Sequence, residues 1–334
     1  MISIVICAYD AARFLPQSLD SVLRQDFPES QREIVVVDDG STDETERILK
    51  PYEGKIRLVR HASNRGMGEA MRSGIRAASG EIVAPLDADD VWRPQKLRRV
   101  AEAFAREPEA GLVSHRFEFA DKDLKLLGQR FGLDHDRVFD LESEQLVSYH
   151  GRWRQFLLAL PAGSAYAFRK AAVLPYLDGC RPPPWCADLF FLLLAAHGGR
   201  KAVYLAECLG SYRLRGNNVV LNPPGRNMTP EAMKRFLEAV PAPRPPLLAD
   251  LRCLRLPAEL SSAMGRPDKA TRVAGCVKVL RDAFGQVPWR LWSRSARSTA
   301  AYALLPQRVY SWLCWRRLNV KLTAAARAAT DGGR

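Results

Sequence analysis

The sequence predicts a doubly wound α/β sheet, and three observations carry that prediction. Short β-branched runs alternate with segments of helical periodicity through residues 1–106. The runs are apolar throughout rather than alternating, as parallel strands covered on both faces require. Three of them end in polar clusters: Tyr9-Asp10, Asp38-Asp39 and Asp87-Ala88-Asp89. Ligands bind such sheets outside the carboxyl ends of the strands, so the three clusters are expected on one edge.

The elements follow in order. Ile2-Ser3-Ile4-Val5-Ile6 opens as a strand, and residues 10–25 place Phe14, Leu15, Leu19, Val22 and Leu23 on one helical stripe. A second strand, 34–37, runs into Asp38-Asp39-Gly40-Ser41-Thr42-Asp43, which combines a turn with a helix N-cap. Residues 56–59 form a third strand, and 66–78 a helix rich in small residues that Gly80 ends. A strand over 81–85 leads into Leu86-Asp87-Ala88-Asp89-Asp90, and Pro94 opens a helix reaching about Arg106. Leu112-Val113-Ser114 is a further strand, whereas 116–150 is polar and irregular and is expected to be a variable lid. Residues 161–168 read as a loop entering a strand. The rigid Pro182-Pro183-Pro184-Trp185-Cys186-Ala187-Asp188 leads to a helix over 189–196, and 203–205 with 209–213 form a strand pair.

Composition bounds the rest. The chain has 334 residues, 47% of them hydrophobic, so it can bury a large core in one or two domains. Its net charge of +13 is unevenly spread: residues 1–225 balance 30 basic against 30 acidic side chains, and 226–334 carry 20 against 7. With Pro-rich breaks at 222–225 and 241–246, this predicts one domain over 1–225 and a basic helical extension over 226–334. The 7 cysteines form no CxxC pair, which suits reduced thiols in a cytosolic protein. The first residues show no basic leader, and the longest apolar run, 189–197, is too short to cross a bilayer.

Asp87, Asp89 and Asp90 repel one another at a strand end and call for a counter-charge. A hard divalent cation, Mg²⁺ or Mn²⁺, supplies one, taking carboxylate ligands and leaving positions for phosphate oxygens. The alternative is a solvated Asp-rich turn. The convergence of three clusters on one edge favours the cation.

Together, Ser3-Ile4-Val5-Ile6-Cys7-Ala8-Tyr9-Asp10, Val37-Asp38-Asp39-Gly40-Ser41-Thr42-Asp43, Gly80-Glu81 and Leu86-Asp87-Ala88-Asp89-Asp90-Val91-Trp92 closely resemble glycosyltransferase family 2 over about residues 1–215. That resemblance implies a GT-A fold, a Rossmann-like, mostly parallel mixed sheet flanked by helices, and inverting transfer from a nucleotide-sugar. It implies that Cys7, Ala8 and Tyr9 wall the nucleotide base and that Asp39 accepts from the base's imide. The alternative is that Asp38 or Asp39 caps the helix starting near Thr42. By the same resemblance Asp87 meets the ribose or the metal shell, Asp89 ligates the metal, and Arg65 and Arg72 reach base or phosphates. Asp90 is expected to cap a helix. Asp188 matches the family's general base, although an Asp there is also a natural N-cap for 189–196.

One departure stands out. Where the family often has Tyr-Arg-x-His-Gly-Asn-Asn, this chain has Tyr212-Arg213-Leu214-Arg215-Gly216-Asn217-Asn218. Arg215 cannot ligate a metal but can pair with a diphosphate. The Gln-x-x-Arg-Trp signature of processive synthases is absent, which favours transfer of a single sugar. The expected donor is a UDP-sugar and the acceptor a saccharide or a lipid-linked hydroxyl.

From 289 to 321, four tryptophans (289, 292, 312, 315) mix with arginines and no acid intervenes. This reads either as an interfacial helix on an anionic membrane face or as a helix packed on the catalytic domain. No nucleic-acid-binding signature accompanies the charge, so nucleic acid is not an expected partner. Two rival functions remain. A non-catalytic nucleotide-sugar-binding scaffold is separable by turnover, and a sugar nucleotidyltransferase would need a Gly-rich phosphate loop with a Lys, which Cys7-Ala8-Tyr9-Asp10 lacks.

Overall fold

A computed structural model of the chain describes residues 1–141, 163–178 and 187–215, all within one compact unit. The loop 182–186, the boundary at 225/226 and the basic segment 289–321 lie outside the described residues.

Strand β1 (Ile2–Ala8) is buried along its whole length and forms the spine of the sheet. β2 (Arg32–Asp38) lies parallel on one side and β4 (Ile82–Asp87) on the other, with β3 (Arg57–Arg60) outside β2. Their β-branched residues fill the core between helices: Ile4, Val5, Ile6, Val35, Val36 and Val37 are all fully buried. Helices α1 (Leu15–Leu23), α2 (Thr45–Leu49), α3 (Met67–Ala77) and α4 (Lys96–Arg106) make the crossovers. The register sets Ala8 opposite Asp38 and Cys7 opposite Asp87, so the predicted polar clusters do meet at one edge.

The far half of the sheet adds β5 (Val91–Trp92), β6 (Ala110–Ala120), β7 (Leu126–Phe131), β8 (Arg137–Asp140), β9 (Tyr166–Arg169) and β10 (Lys201–Arg213). The order is β3-β2-β1-β4-β9-β6-β10-β5, with β7 on β6 and β8 on β10. Helix α5 (Lys170–Val173) follows β9, and α6 (Ala187–Gly198) precedes β10. Among the described residues, no helix is long and apolar enough to cross a membrane.

Four expectations are corrected. The sheet is mixed, but mostly parallel only over β3-β2-β1-β4; of the nine pairings, β1–β2, β1–β4, β2–β3 and β6–β10 are parallel and five are antiparallel. The helix expected from residue 10 starts at Leu15, because Asp10 has a left-handed φ of 46° that no α-helix continues. The described part of 116–150 is not irregular. β6 runs on to Ala120 because Phe117 packs against Phe119, Phe131 and Tyr212, with ring centroids 5.2–5.7 Å apart. The expected strand pair at 203–213 is the single strand β10, which absorbs its polar middle in register shifts on either side of Cys208.

Candidate active site

The loops after β1 and β2 are tied together by reciprocal hydrogen bonds. The amide of Asp10 donates to Ser41 Oγ at 3.1 Å, and its carboxylate accepts from the Thr42 amide at 2.8 Å and the Asp43 amide at 3.3 Å. Asp43 in turn accepts from the Ala12 amide at 3.1 Å, and Thr45 Oγ1 from the Ala11 amide at 3.0 Å. The left-handed backbone at Asp10 is thus held from several directions, and the ring of Tyr9 stands out at 47% exposed. Asp38 closes the turn by accepting from the Ser41 amide at 3.0 Å, while Asp43, not Asp38 or Asp39, bonds the Thr45 amide where α2 begins.

Asp39 is buried and holds three partners. Its carboxylate meets His61 Nδ1 at 2.6 Å and accepts from the amides of Arg65 at 3.0 Å and Gly66 at 2.8 Å. His61 Nε2 lies 2.9 Å from Ser73 Oγ. Asp39 therefore suspends the loop that enters α3. Arg65 and Arg72 both pair with Glu69, at 3.5 and 3.3 Å, and Arg72 approaches Asp178 at 3.9 Å.

The acidic knot is built into the fold from behind. One oxygen each of Asp87, Asp89 and Asp90 falls within 4.8 Å of the others. Asp90 is not a helix cap: its carboxylate is buried, accepting from Ser164 Oγ at 2.6 Å and from the Arg213 amide at 2.9 Å. Burial and the neighbouring Asp89 push its carboxyl up to about 8, against those two hydrogen bonds and Arg213. Ser18 Oγ holds the carbonyls of Ala88 and Asp90 at 2.8 and 2.7 Å. The fully buried Lys96 lies over the Trp92 ring at 3.5 Å and donates to the Ser164 carbonyl at 2.6 Å. Burial drives its ammonium well below the usual lysine range, and Asp90 and Asp87 pull it back. Arg213, also buried, spends its guanidinium on Asp89 O at 2.6 Å, Lys122 O at 2.9 Å and Gln17 Oε1 at 2.7 Å.

Asp87 and Asp89 are the acids left only partly buried. Burial raises Asp87 well above the carboxylate range, and Asp188, Asp90 and Asp89 raise it further. Asp89 is raised by burial against the pull of Arg215, whose Nε sits 2.5 Å from its Oδ2. Asp188, in the first turn of α6, accepts from the Gly163 amide; burial lifts its carboxyl, that hydrogen bond opposes the lift, and Asp89 adds to it. A Cβ built on Gly163 would lie 3.0 Å from Asp188 Oδ1 and 3.4 Å from Asp87 Oδ1, so the two acids converge on one small residue. The thiol of Cys7, pushed up by burial and by Asp87, Asp39 and Asp188, marks the same point from the strand below.

The donor set suits a hard divalent cation. It offers only carboxylate oxygens, and the upward shifts record burial and, at Asp87, repulsion by neighbouring acids, both of which such an ion would offset. With Asp90 bonded inward, Asp87 and Asp89 are the residues that would hold it. The chain thus brings Cys7, Asp39, Asp87, Asp89, Asp188 and Arg215 to one edge. Sequence reasoning missed His61, Lys96, Gly163 and Ser164, and it named Arg213 only as part of a motif. None carries a pattern signal: Lys96 reads as a surface residue of α4 until the fold buries it.

Comparison with known proteins bears on this geometry. The sequence pattern of glycosyl transferase family 2 matches residues 3–173. A glycosyltransferase of Nostoc sp. is 36% identical over 223 residues, 65% of this chain and 66% of its own length. The poly(ribitol-phosphate) beta-N-acetylglucosaminyltransferase TarS of Staphylococcus aureus is 32% identical over 102 residues, 30% of this chain and 18% of its own. The chain thus spans less than two thirds of these curated relatives. Among solved structures, TarS 1–349 with UDP-GlcNAc aligns over 98% of this chain and 88% of its own, with TM-score 0.53 and 16% identity. The mannosyltransferase PcManGT of Pyrobaculum calidifontis, with GDP-Man and Mn²⁺, aligns over 98% and 86%, with TM-score 0.57 and 19% identity. At those identities the likeness is one of fold.

Proposed function

The chain belongs to glycosyl transferase family 2, and on that premise we propose that it is an inverting transferase moving one sugar from a UDP-sugar to a hydroxyl of a saccharide or lipid-linked acceptor. The observation that carries this reading is the convergence of Asp188 with Asp87 at Gly163, beside Asp89. Asp188 takes the proton from the attacking hydroxyl, and the Gly163 amide fixes the orientation of its carboxylate. Its upward shift makes it a stronger base than a free carboxylate. Asp87 and Asp89 would hold a divalent ion, Mg²⁺ or Mn²⁺, which would supply Lewis-acid neutralisation of the departing diphosphate. Tyr9, with Cys7 and Ala8 beneath it, walls the base; Arg65 and Arg72 lie on the side of the site that Asp39 organises. The buried Lys96 and Arg213 keep the acidic loop in place and carry no chemistry themselves. The basic segment 289–321 would hold the enzyme against an anionic, cytoplasmic membrane face, within reach of a lipid-linked acceptor.

The test is Asp188→Asn, read by UDP release from UDP-sugars and by UDP binding with Mn²⁺ present. Turnover is expected to fall by about 10²-fold or more while UDP binding is kept. Unchanged turnover would remove the base assignment. A protein stabilised thermally by no nucleoside diphosphate, with or without Mn²⁺, would sink the whole reading.

A further inference from the structure

We propose that Arg215 is a built-in counter-cation that competes with the divalent ion for Asp89 and is handed on to the diphosphate when the ion binds. The inference rests on the reading above that Asp87 and Asp89 are the metal ligands. Arg215 Nε lies 2.5 Å from Asp89 Oδ2, so the guanidinium already neutralises the carboxylate that a metal would use. The two cations compete for its charge: the guanidinium partly neutralises the carboxylate and repels an ion held beside it.

The fold gives Arg215 the means to let go. Its side chain is 37% exposed, against 14% for Asp89, so leaving the acid does not strand a charge in the interior. Its guanidinium carbon also lies 5.6 Å from the centre of the Phe14 ring, a second foothold beside the site. Arg213, two residues earlier, cannot play this part, because its guanidinium is consumed by two backbone carbonyls and Gln17. The released guanidinium of Arg215 then has donors suited to diphosphate oxygens. Metal alone weakens the Arg215–Asp89 pair, whereas metal with a diphosphate adds an anion that the guanidinium can meet in its place. Coupled binding of ion and nucleotide follows from this exchange.

Calorimetric titration of Mn²⁺ into nucleotide-free protein tests the exchange, using the wild type, Arg215→Met, Arg215→Gln, Asp89→Asn and the Asp89→Asn/Arg215→Met double variant. Removing the charge at 215 is expected to tighten Mn²⁺ binding by about two- to fivefold, the scale of a partly exposed ion pair. The gain should vanish in the double variant. At saturating Mn²⁺, UDP should bind the two Arg215 variants more weakly than the wild type. Mn²⁺ affinity unchanged or weaker in Arg215→Met and Arg215→Gln would overturn the exchange while leaving the metal site standing. Mn²⁺ binding by none of the proteins, or equal binding by Asp89→Asn and the wild type, would overturn the metal reading and this inference with it.

Discussion

Glu33 shows how single polar residues fix the edge opposite the site. From β2 its carboxylate accepts from Ser3 Oγ at 2.5 Å, Ser79 Oγ at 3.1 Å, the Gly80 amide at 3.2 Å and the Ser79 amide. It thereby pins the start of β4 to β1 and β2, and with it the register that sets Cys7 opposite Asp87. Burial pushes this carboxyl up, but the hydrogen bonds win and hold it below the ordinary glutamate value. A lowered folded value means stability that is present above the unfolded pKa, about 4.3, and is lost as pH falls through the folded one. Glu33→Gln is therefore expected to cost about 1 kcal/mol at pH 7, allowing for solvent screening of a partly exposed group. The gap should close as pH drops below about 4. Urea melts of both proteins at pH 7, 5 and 4 check this; equal stability at pH 7 would refute it.

At the scale of elements, α3 decides how closely the loop 61–66 approaches the site. A Cβ on Gly74 would meet Val5 Cγ1 at 2.3 Å and Val37 Cγ2 at 3.2 Å, so glycine is what lets the helix lie on β1 and β2. Gly74→Ala gains up to about 1 kcal/mol of helix propensity. Overpacking costs about 1–3 kcal/mol against it, because Val5 and Val37 are fully buried and cannot yield. A lower urea midpoint is expected, and a rise would show that the helix simply shifts. The near half of the fold was legible because its parallel strands are continuous apolar runs that end in turn chemistry, as at Asp38-Asp39-Gly40. In the far half β6, β9, α6 and β10 were legible in part, but β7 and β8 were not, since an edge like β7 alternates exposed and half-buried residues and its stability comes from partners distant in sequence. The site divides the same way. Asp39, Asp87, Asp89 and Asp188 were visible as residue types at strand or helix ends, whereas Lys96 and Ser164 act on Asp90 through a contact 68 or more residues apart in the chain. Such contacts exist only once the sheet has closed.

For the whole molecule, charge is the informative quantity. Residues 1–225 are electrically balanced, so the +13 belongs to 226–334 alone. Within it, residues 289–321 combine 7 basic side chains with four tryptophans and no acid. Each basic group near an anionic bilayer contributes about 1 kcal/mol, and the attraction falls off within a Debye length of about 8 Å at physiological salt. The 334-residue chain is therefore expected to co-sediment with vesicles containing phosphatidylglycerol and not with pure phosphatidylcholine vesicles. Raising salt to about 0.5 M should weaken the binding strongly, leaving a residue of affinity from the aromatic rings at headgroup depth. Replacing Arg290, Arg294, Arg308, Arg316 and Arg317 with Gln should abolish sedimentation while UDP release from the donor in solution is unchanged, because the catalytic edge is built from other residues. Binding that ignores lipid charge, or that survives those five replacements, would assign the segment to packing against the protein instead.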